Sequence, residues 1–234
     1  MVHIVNGRNS VVIAVGAVAE RGRTLPAMLF IFVWLNVIYA FIAFWTWHPN
    51  GWYARMGGLD FAGGTPVHIS SGCAALAYSY VLGKRLGYGT KDLDQPHNAT
   101  YIVLGTALLW VGWLGANAGS AHAANLRAVM AMVVTHFAAC TGGIAWCLLD
   151  YRRERKWSAV GFCCGVLSGL VTISPGAGYV SPWAAVIFGV VGGITCNLAT
   201  MLKIALRCDE PLDIFAVHAV GGLVGNLLTA FFAM

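Results

Sequence analysis

The chain has 234 residues, of which 59% are hydrophobic and only 10% charged, with a formal net charge of +5. A soluble domain carries about 25% charged residues, so this composition excludes an ordinary water-soluble globule and points to an integral membrane protein. No basic stripe of the kind that grips nucleic acid is present, and the N-terminus is not expected to be a cleaved signal: Arg8 precedes a short apolar run, but Glu20, Arg21 and Arg23 follow it.

A membrane-crossing helix needs about 20 apolar residues. The first apolar stretch, 11–19, is too short for that and is expected to be the stub of a helix. Seven full spans are expected after it, over 25–47, 61–83, 99–121, 128–149, 157–173, 181–206 and 212–234. Alternate loops collect Arg21 and Arg23, then Lys84, Arg85 and Lys91, then Arg152, Arg153, Arg155 and Lys156, then Lys203 and Arg207. The opposite side holds only Arg8, Arg55 and Arg127. The positive-inside rule places the first set in the cytoplasm. The run from Asp150 to Lys156 is expected to touch lipid headgroups and fix topology. The uncharged loop 174–180, with Pro175, is expected to be a tight outer connection. Seven cysteines are scattered with no CxxC pair, so no metal or disulfide role is expected. The whole of 1–234 is expected to be a single transmembrane domain.

Two histidines stand in apolar runs with matching frames: Val67-His68-Ile69-Ser70-Ser71-Gly72 and Val217-His218-Ala219-Val220-Gly221-Gly222. Each follows an acid, Asp60 before His68 and Asp213 before His218. An ionisable group at membrane depth is costly and usually faces a cavity or a partner. Eight residues at about 1.5 Å each place His68 roughly 12 Å along its helix from Asp60. His218 lies on a span running the opposite way, so the two rings can meet from opposite faces, as an inverted repeat predicts. His136, in Thr135-His136-Phe137, is expected to be a packing or lipid-facing residue.

Further stretches carry a family resemblance. The run from Asp60 through Gly63-Gly64-Thr65-Pro66-Val67-His68, continuing to Gly83-Lys84-Arg85, resembles the signature of the ammonium transporter (Amt/Mep/Rh) family, above all the fungal permeases. Gly16-Ala17-Val18-Ala19-Glu20-Arg21 looks like the end of that family's third helix. Trp110-Val111-Gly112-Trp113 with Asn117-Ala118-Gly119-Ser120 looks like its sixth, and Asp213-Ile214-Phe215-Ala216-Val217-His218 like its tenth. The resemblance implies an all-α polytopic bundle with an incomplete inverted repeat. The family's first two helices, most of its third, and its final helix are expected to lie outside this chain.

The resemblance further implies transport of ammonium or ammonia through a narrow apolar pore, by a plasma-membrane trimer of channel-like subunits with no cofactor and no enzymatic reaction. Its paired pore histidines correspond to His68 and His218. Its recruitment site corresponds to the Trp47 indole, the Ser120 hydroxyl and the structural acid Asp60. Where the family carries a gating aromatic before Asn117, this chain has Ala116. The residues alone give each of these a plainer role: an interfacial anchor for Trp47, small-residue packing for Ser120, and a helix N-cap for Asp60. A chain lacking those helices is expected to transport poorly by itself. It would then sense ammonium or join intact relatives as a regulatory subunit. A third possibility makes His68, His136 and His218 axial haem ligands of an electron carrier.

Overall fold

The computed structural model describes residues 2–90 and 96–234, which leaves Lys91 outside the described residues. Among them there is helix and no strand. In chain order the elements are α1 (Val2–Gly16), α2 (Thr24–Trp34), the π-helical turn π1 (Leu35–Tyr39), α3 (Ala40–Trp47) and the short α4 (Trp52–Arg55). Then come π2 (Gly64–Ile69), α5 (Ser70–Leu82), α6 (Ala99–Gly119), α7 (Leu126–Glu154), α8 (Ala159–Ile173) and α9 (Pro182–Ala199). The chain finishes with α10 (Leu202–Ala205), π3 (Phe215–Val220) and α11 (Gly221–Phe232).

Local chemistry fixes several of these ends. The Asn98 side chain accepts from the Thr100 and Tyr101 N–H groups, Asn125 from Ala128, and Ser158 from Gly161, which satisfies donors that a helix start leaves unpaired. Pro182 opens α9, where its missing N–H costs nothing. Helix α7 closes on Arg155 in the left-handed conformation.

Five of these segments are long and apolar enough to cross a membrane: α2 to α4, α6, α7, α9 to α10, and π3 with α11. Two of the seven expected spans fall short of that measure. Helix α8 has 15 residues and is buried along most of its length. The segment π2–α5 is rich in small and polar side chains, with Ser70, Ser71, Gly72 and Ser79 buried. Helix α8 lies inside the bundle, where neighbouring helices replace lipid and long apolar runs are not required, whereas α5 buries one small-residue face and turns Cys73, Tyr80 and Val81 outward. Residues before Val11 also differ from expectation, since α1 begins at Val2 and runs through the polar stretch as helix.

Helices α7, α8 and α9 form the tightest packing. Small residues allow it: a methyl group at Gly169 of α8 would strike the Ala138 carbonyl of α7. Helix α11 lies across π2, α8 and α9, and α1 lies against α5. The outer helices α2 and α6 turn Phe32, Leu104, Leu108 and Val111 outward, as a lipid-facing surface does.

The Arg-rich ends of three segments are tied together. Arg85 chelates Asp209 through its backbone N–H, Nε and Nη2, at 2.8, 2.9 and 2.9 Å, and also meets Glu20. Arg21 donates to the Asp209 and Ser79 carbonyls. Burial alone would raise the Asp209 carboxyl, but the Arg85 hydrogen bonds and the two guanidinium charges outweigh it and hold it below the usual carboxylate range.

Candidate functional site

Both membrane-depth histidines sit in π-helical turns. A π turn inserts an extra residue into a helix and redirects side chains, and such turns recur at functional sites. His68 in π2 and His218 in π3 are both buried. Their Nδ1 atoms lie 3.3 Å apart and their ring centroids 5.3 Å apart. A neutral imidazole has one donor and one acceptor nitrogen, so one ring donates and the other accepts, and the pair holds one proton between them.

Each turn is entered in the same way. The Asp60 carboxylate is buried and accepts from the N–H groups of Gly63, Gly64 and Thr65 at 2.7–2.8 Å. Gly63 takes φ 106°, which bends those donors back toward the acid. At the second turn, π3, the corresponding acid is Glu210, not Asp213. Glu210 is buried and accepts from the N–H groups of Ile214 and Phe215 at 2.9 and 3.1 Å. Asp213 stands at φ 53°, the position that Gly63 holds in the first copy, and pairs instead with Lys203 at 2.7 Å. The sequence already held the signal, for Asp60 and Glu210 each lie eight residues before their histidine.

The two segments press on each other through glycines four residues past each histidine. A Cβ on Gly72 would meet Ala219, and one on Gly222 would meet the Gly64 carbonyl and the His68 Cβ at 2.7 and 3.1 Å. Asn226 of α11 donates to the Thr65 hydroxyl of π2 at 3.0 Å, a further link between them.

Trp113 of α6 covers both imidazoles. Its ring stacks on His68 at 5.2 Å and 22°, and on His218 at 6.4 Å and 13°. The indole Nε1 donates to the Ser174 hydroxyl at 3.0 Å. One turn along α6, buried Asn117 donates to Thr135 of α7 at 2.9 Å, and Thr135 donates to the Ala131 carbonyl. The indole is therefore clamped from α8 while its helix is held by α7. Neither Glu210 nor Trp113 was named among the site residues from sequence. For Trp113 the available signal was its position four and seven residues before Asn117 and Ser120, on one helical face.

The structure gathers Trp47, Asp60 and Ser120 around one cavity of about 370 Å³. Trp47 donates its indole N–H to the Asp60 carbonyl at 2.8 Å. The Ser120 hydroxyl donates to the Ala116 carbonyl at 3.1 Å, which leaves its lone pairs as acceptors toward the cavity. Phe61, Arg127 and Tyr179 complete much of the wall. The Arg127 guanidinium lies 5.7 Å from the Tyr179 ring centre, a cation held on an aromatic face. His136 lies apart from the imidazole pair. It is exposed on α7, 5.3 Å from the Trp110 ring and 3.7 Å from the Cys140 sulfur. Three histidines around one haem iron are thus not what the fold assembles.

Comparison with known proteins gives one answer. The model of the Ammonium Transporter Family matches residues 1–234. Ammonium transporter 1 of Schizosaccharomyces pombe is 58% identical over 221 residues, covering 94% of this chain and 44% of that protein. The crystal structure of Candida albicans Mep2 superposes with a TM-score of 0.91 at 49% identity, over 96% of this chain and 50% of that one. The crystal structure of Saccharomyces cerevisiae Mep2 gives 0.91 at 45% identity, over 100% of this chain and 53% of that one. The chain spans about half the length of the curated relatives it matches.

Proposed function

The chain belongs to the Ammonium Transporter Family, and from that premise we propose that it supplies the twin-histidine half of an ammonium-conducting subunit. The observation that carries this reading is the 3.3 Å contact between the His68 and His218 Nδ1 atoms, buried beneath the Trp113 indole. Stripping water from a bare cation costs far more than stripping it from a neutral molecule. An apolar conduit lined by two imidazoles passes ammonia and offers the proton a separate polar site. Potassium has no proton to release and meets the full desolvation barrier.

In this proposal the cavity beside Trp47 is the outer recruitment site. The Trp47 indole face contributes cation–π attraction of about 0.5–2 kcal/mol, and Ser120 accepts a hydrogen bond from ammonium. Asp60 spends both carboxylate oxygens on backbone N–H groups. It therefore shapes the cavity and adds a negative potential without touching the substrate.

We further infer that the less apolar π2–α5 and the shorter α8 join the five apolar segments as spans, making seven. Segments π2–α5 and π3–α11 are then the related helices of two inverted halves. The register of acid, left-handed residue, histidine and close-packed glycine, at −8, −5, 0 and +4 from each histidine, supports that repeat. The working assembly is a plasma-membrane trimer, either of copies of this chain or of this chain with relatives of the same family.

Uptake of labelled methylammonium by cells stripped of their own permeases tests the proposal. Expression of the chain, alone or beside a full-length relative, should alter uptake. His68→Ala and His218→Ala should each change the flux or its proton coupling. Uptake and selectivity untouched by the chain and by both variants would remove the basis for the assignment.

A further inference from the structure

The outer cavity holds a cation of its own. Arg127 stands in the first turn of α7, just behind its N-cap Asn125, and lines the cavity together with Trp47, Ser120 and Tyr179. That turn is the positive end of a 29-residue helix, where a basic side chain meets repulsion. Arg127 is exposed and has no ion-pair partner among the described residues. Neither the helix nor a paired carboxylate therefore accounts for where its guanidinium lies. The Tyr179 ring does, with its centre 5.7 Å away.

That ring is held firmly. The Tyr179 N–H donates to the Gly176 carbonyl at 2.8 Å, and the Tyr179 carbonyl accepts from the Met234 N–H at 2.9 Å. Its ring meets Phe61 edge to face, 5.5 Å between centres and at 80°. Phe61 donates its own N–H to the Pro175 carbonyl at 2.9 Å, and a methyl group at Gly178 would strike the Phe61 ring. Backbone contacts thus set the aromatic wall, and the long Arg127 side chain is the flexible partner laid on it. Two aromatic faces border one cavity of about 370 Å³, the Trp47 indole and the Tyr179 phenol. The chain's own guanidinium covers the second.

Resting on the reading of this cavity as the cation-recruitment site, we propose that Arg127 is its specificity-determining residue. The guanidinium fills the Tyr179 face and leaves the Trp47 face, with the Ser120 acceptor, to one small ammonium ion. A broad planar cation such as free guanidinium needs an extended aromatic surface. It finds the Tyr179 face taken and a like charge beside it, a repulsive element set against the wrong ligand. The fixed charge weakens every cation alike, whereas the covered ring penalises only those cations that would lie on it.

The full chain, purified in mild detergent, is titrated with methylammonium and with methylguanidinium at millimolar concentration. Saturation-transfer NMR of the ligand methyl groups reads binding. The quantity compared is the ratio of the two dissociation constants, because loss of a charge strengthens both. A cation on an aromatic face gains about 2–30-fold in binding, so Arg127→Ala should move the ratio toward methylguanidinium by about tenfold. Arg127→Lys keeps a cation able to lie on the ring and should move it little. Adding Tyr179→Leu to Arg127→Ala should cancel the gain, since the vacated face is then gone. Arg127→Gln should move the ratio in the same direction as the alanine variant, and replaces it if that protein fails to fold.

A ratio unmoved by loss of the guanidinium would overturn the proposal, as would a gain that survived Tyr179→Leu. In both cases methylammonium binding by the unaltered chain would leave the recruitment reading standing. An unaltered chain that bound no methylammonium would overturn that reading, and this proposal with it.

Discussion

Replacing Gly72 with alanine adds one methyl group where α5 meets π3. The new Cβ would sit 2.5 Å from the Ala219 nitrogen, 2.8 Å from its Cβ and 3.0 Å from its Cα. Carbon atoms in good contact stand about 3.5–4.0 Å apart, so π3 must retreat by about 1 Å. None of the three atoms is the far end of a flexible side chain, so none can swing aside. Ala219 is joined to His218, and its retreat draws the imidazole away and stretches the 3.3 Å Nδ1 contact past hydrogen-bond range. Overpacking costs about 1–3 kcal/mol, a buried hydrogen bond left unmade about 1–3 more, and the better helix propensity of alanine returns about 1. The net loss is about 3 kcal/mol, or about 6–12 °C in melting temperature at 2–4 °C per kcal/mol. Gly105 on α6 provides the internal comparison, since a Cβ there meets nothing within 4 Å. Gly105→Ala should be neutral or raise stability by up to about 1 kcal/mol. Thermal unfolding of both variants in one detergent, with nitrogen NMR of the histidine rings, reads both effects. A Gly72→Ala protein that melted with the unaltered chain, or shifted no more than Gly105→Ala, would refute the reasoning.

Asp209→Asn should cost about 3 kcal/mol, because it strands the Arg85 and Arg21 guanidinium groups, whose side chains are only 12% and 13% exposed. The Asp209 carboxyl is held below its usual range, so its contribution is complete above the unfolded carboxylate value near 3.9 and fades as pH falls through the lower folded value. Denaturant titrations across that window should show a steeper acid loss in the unaltered chain than in Asp209→Asn. Glu210→Ala should cost about 1–2 kcal/mol by orphaning the Ile214 and Phe215 N–H groups, while Glu210→Asp should keep part of that stability; equal melting of all three would deny Glu210 its capping role. Trp113→Phe keeps an aromatic ring over the imidazoles but loses the 3.0 Å bond to Ser174, so about 1 kcal/mol is expected. Trp113→Ala empties that space and should cost about 3–5 kcal/mol, measured by the same unfolding assay.

Much of the architecture was legible from local pattern. Apolar runs marked the helices, and the alternation of Arg and Lys clusters assigned Arg21, Arg85 and their kin to one side. The structure draws those two together around Asp209. The interior helices were harder to judge by length. Helix α8 is buried along most of its length, so it needs less length than lipid demands, and π2–α5 spends its low apolarity on a buried face of Ser70, Ser71 and Ser79. The apolar stub 11–19 is the end of a longer helix whose polar start the hydropathy pattern does not mark, and Asn6 in that start lines the cavity beside Trp47. The partner acid of His218 was misassigned to Asp213, which is nearer in sequence. Equal spacing marked Glu210, but only backbone geometry shows which carboxylate receives the N–H groups of π3.

By itself, the sequence determined that this chain lives in a membrane as helices, and that two imidazoles stand at depth in them. Hydropathy, charge bias and helical rise are properties of short stretches, readable wherever the chain ends up. Tertiary structure alone decided that the two rings meet, that Trp113 roofs both, that Trp47, Asp60 and Ser120 share one cavity, and that Asn197 of α9 bonds to Asp150 and Arg153 of α7. Each of these is a contact between residues far apart in the chain, up to 150 positions for the histidines. Such contacts are set by which helix faces pack together, and side-chain identity at one position does not encode that.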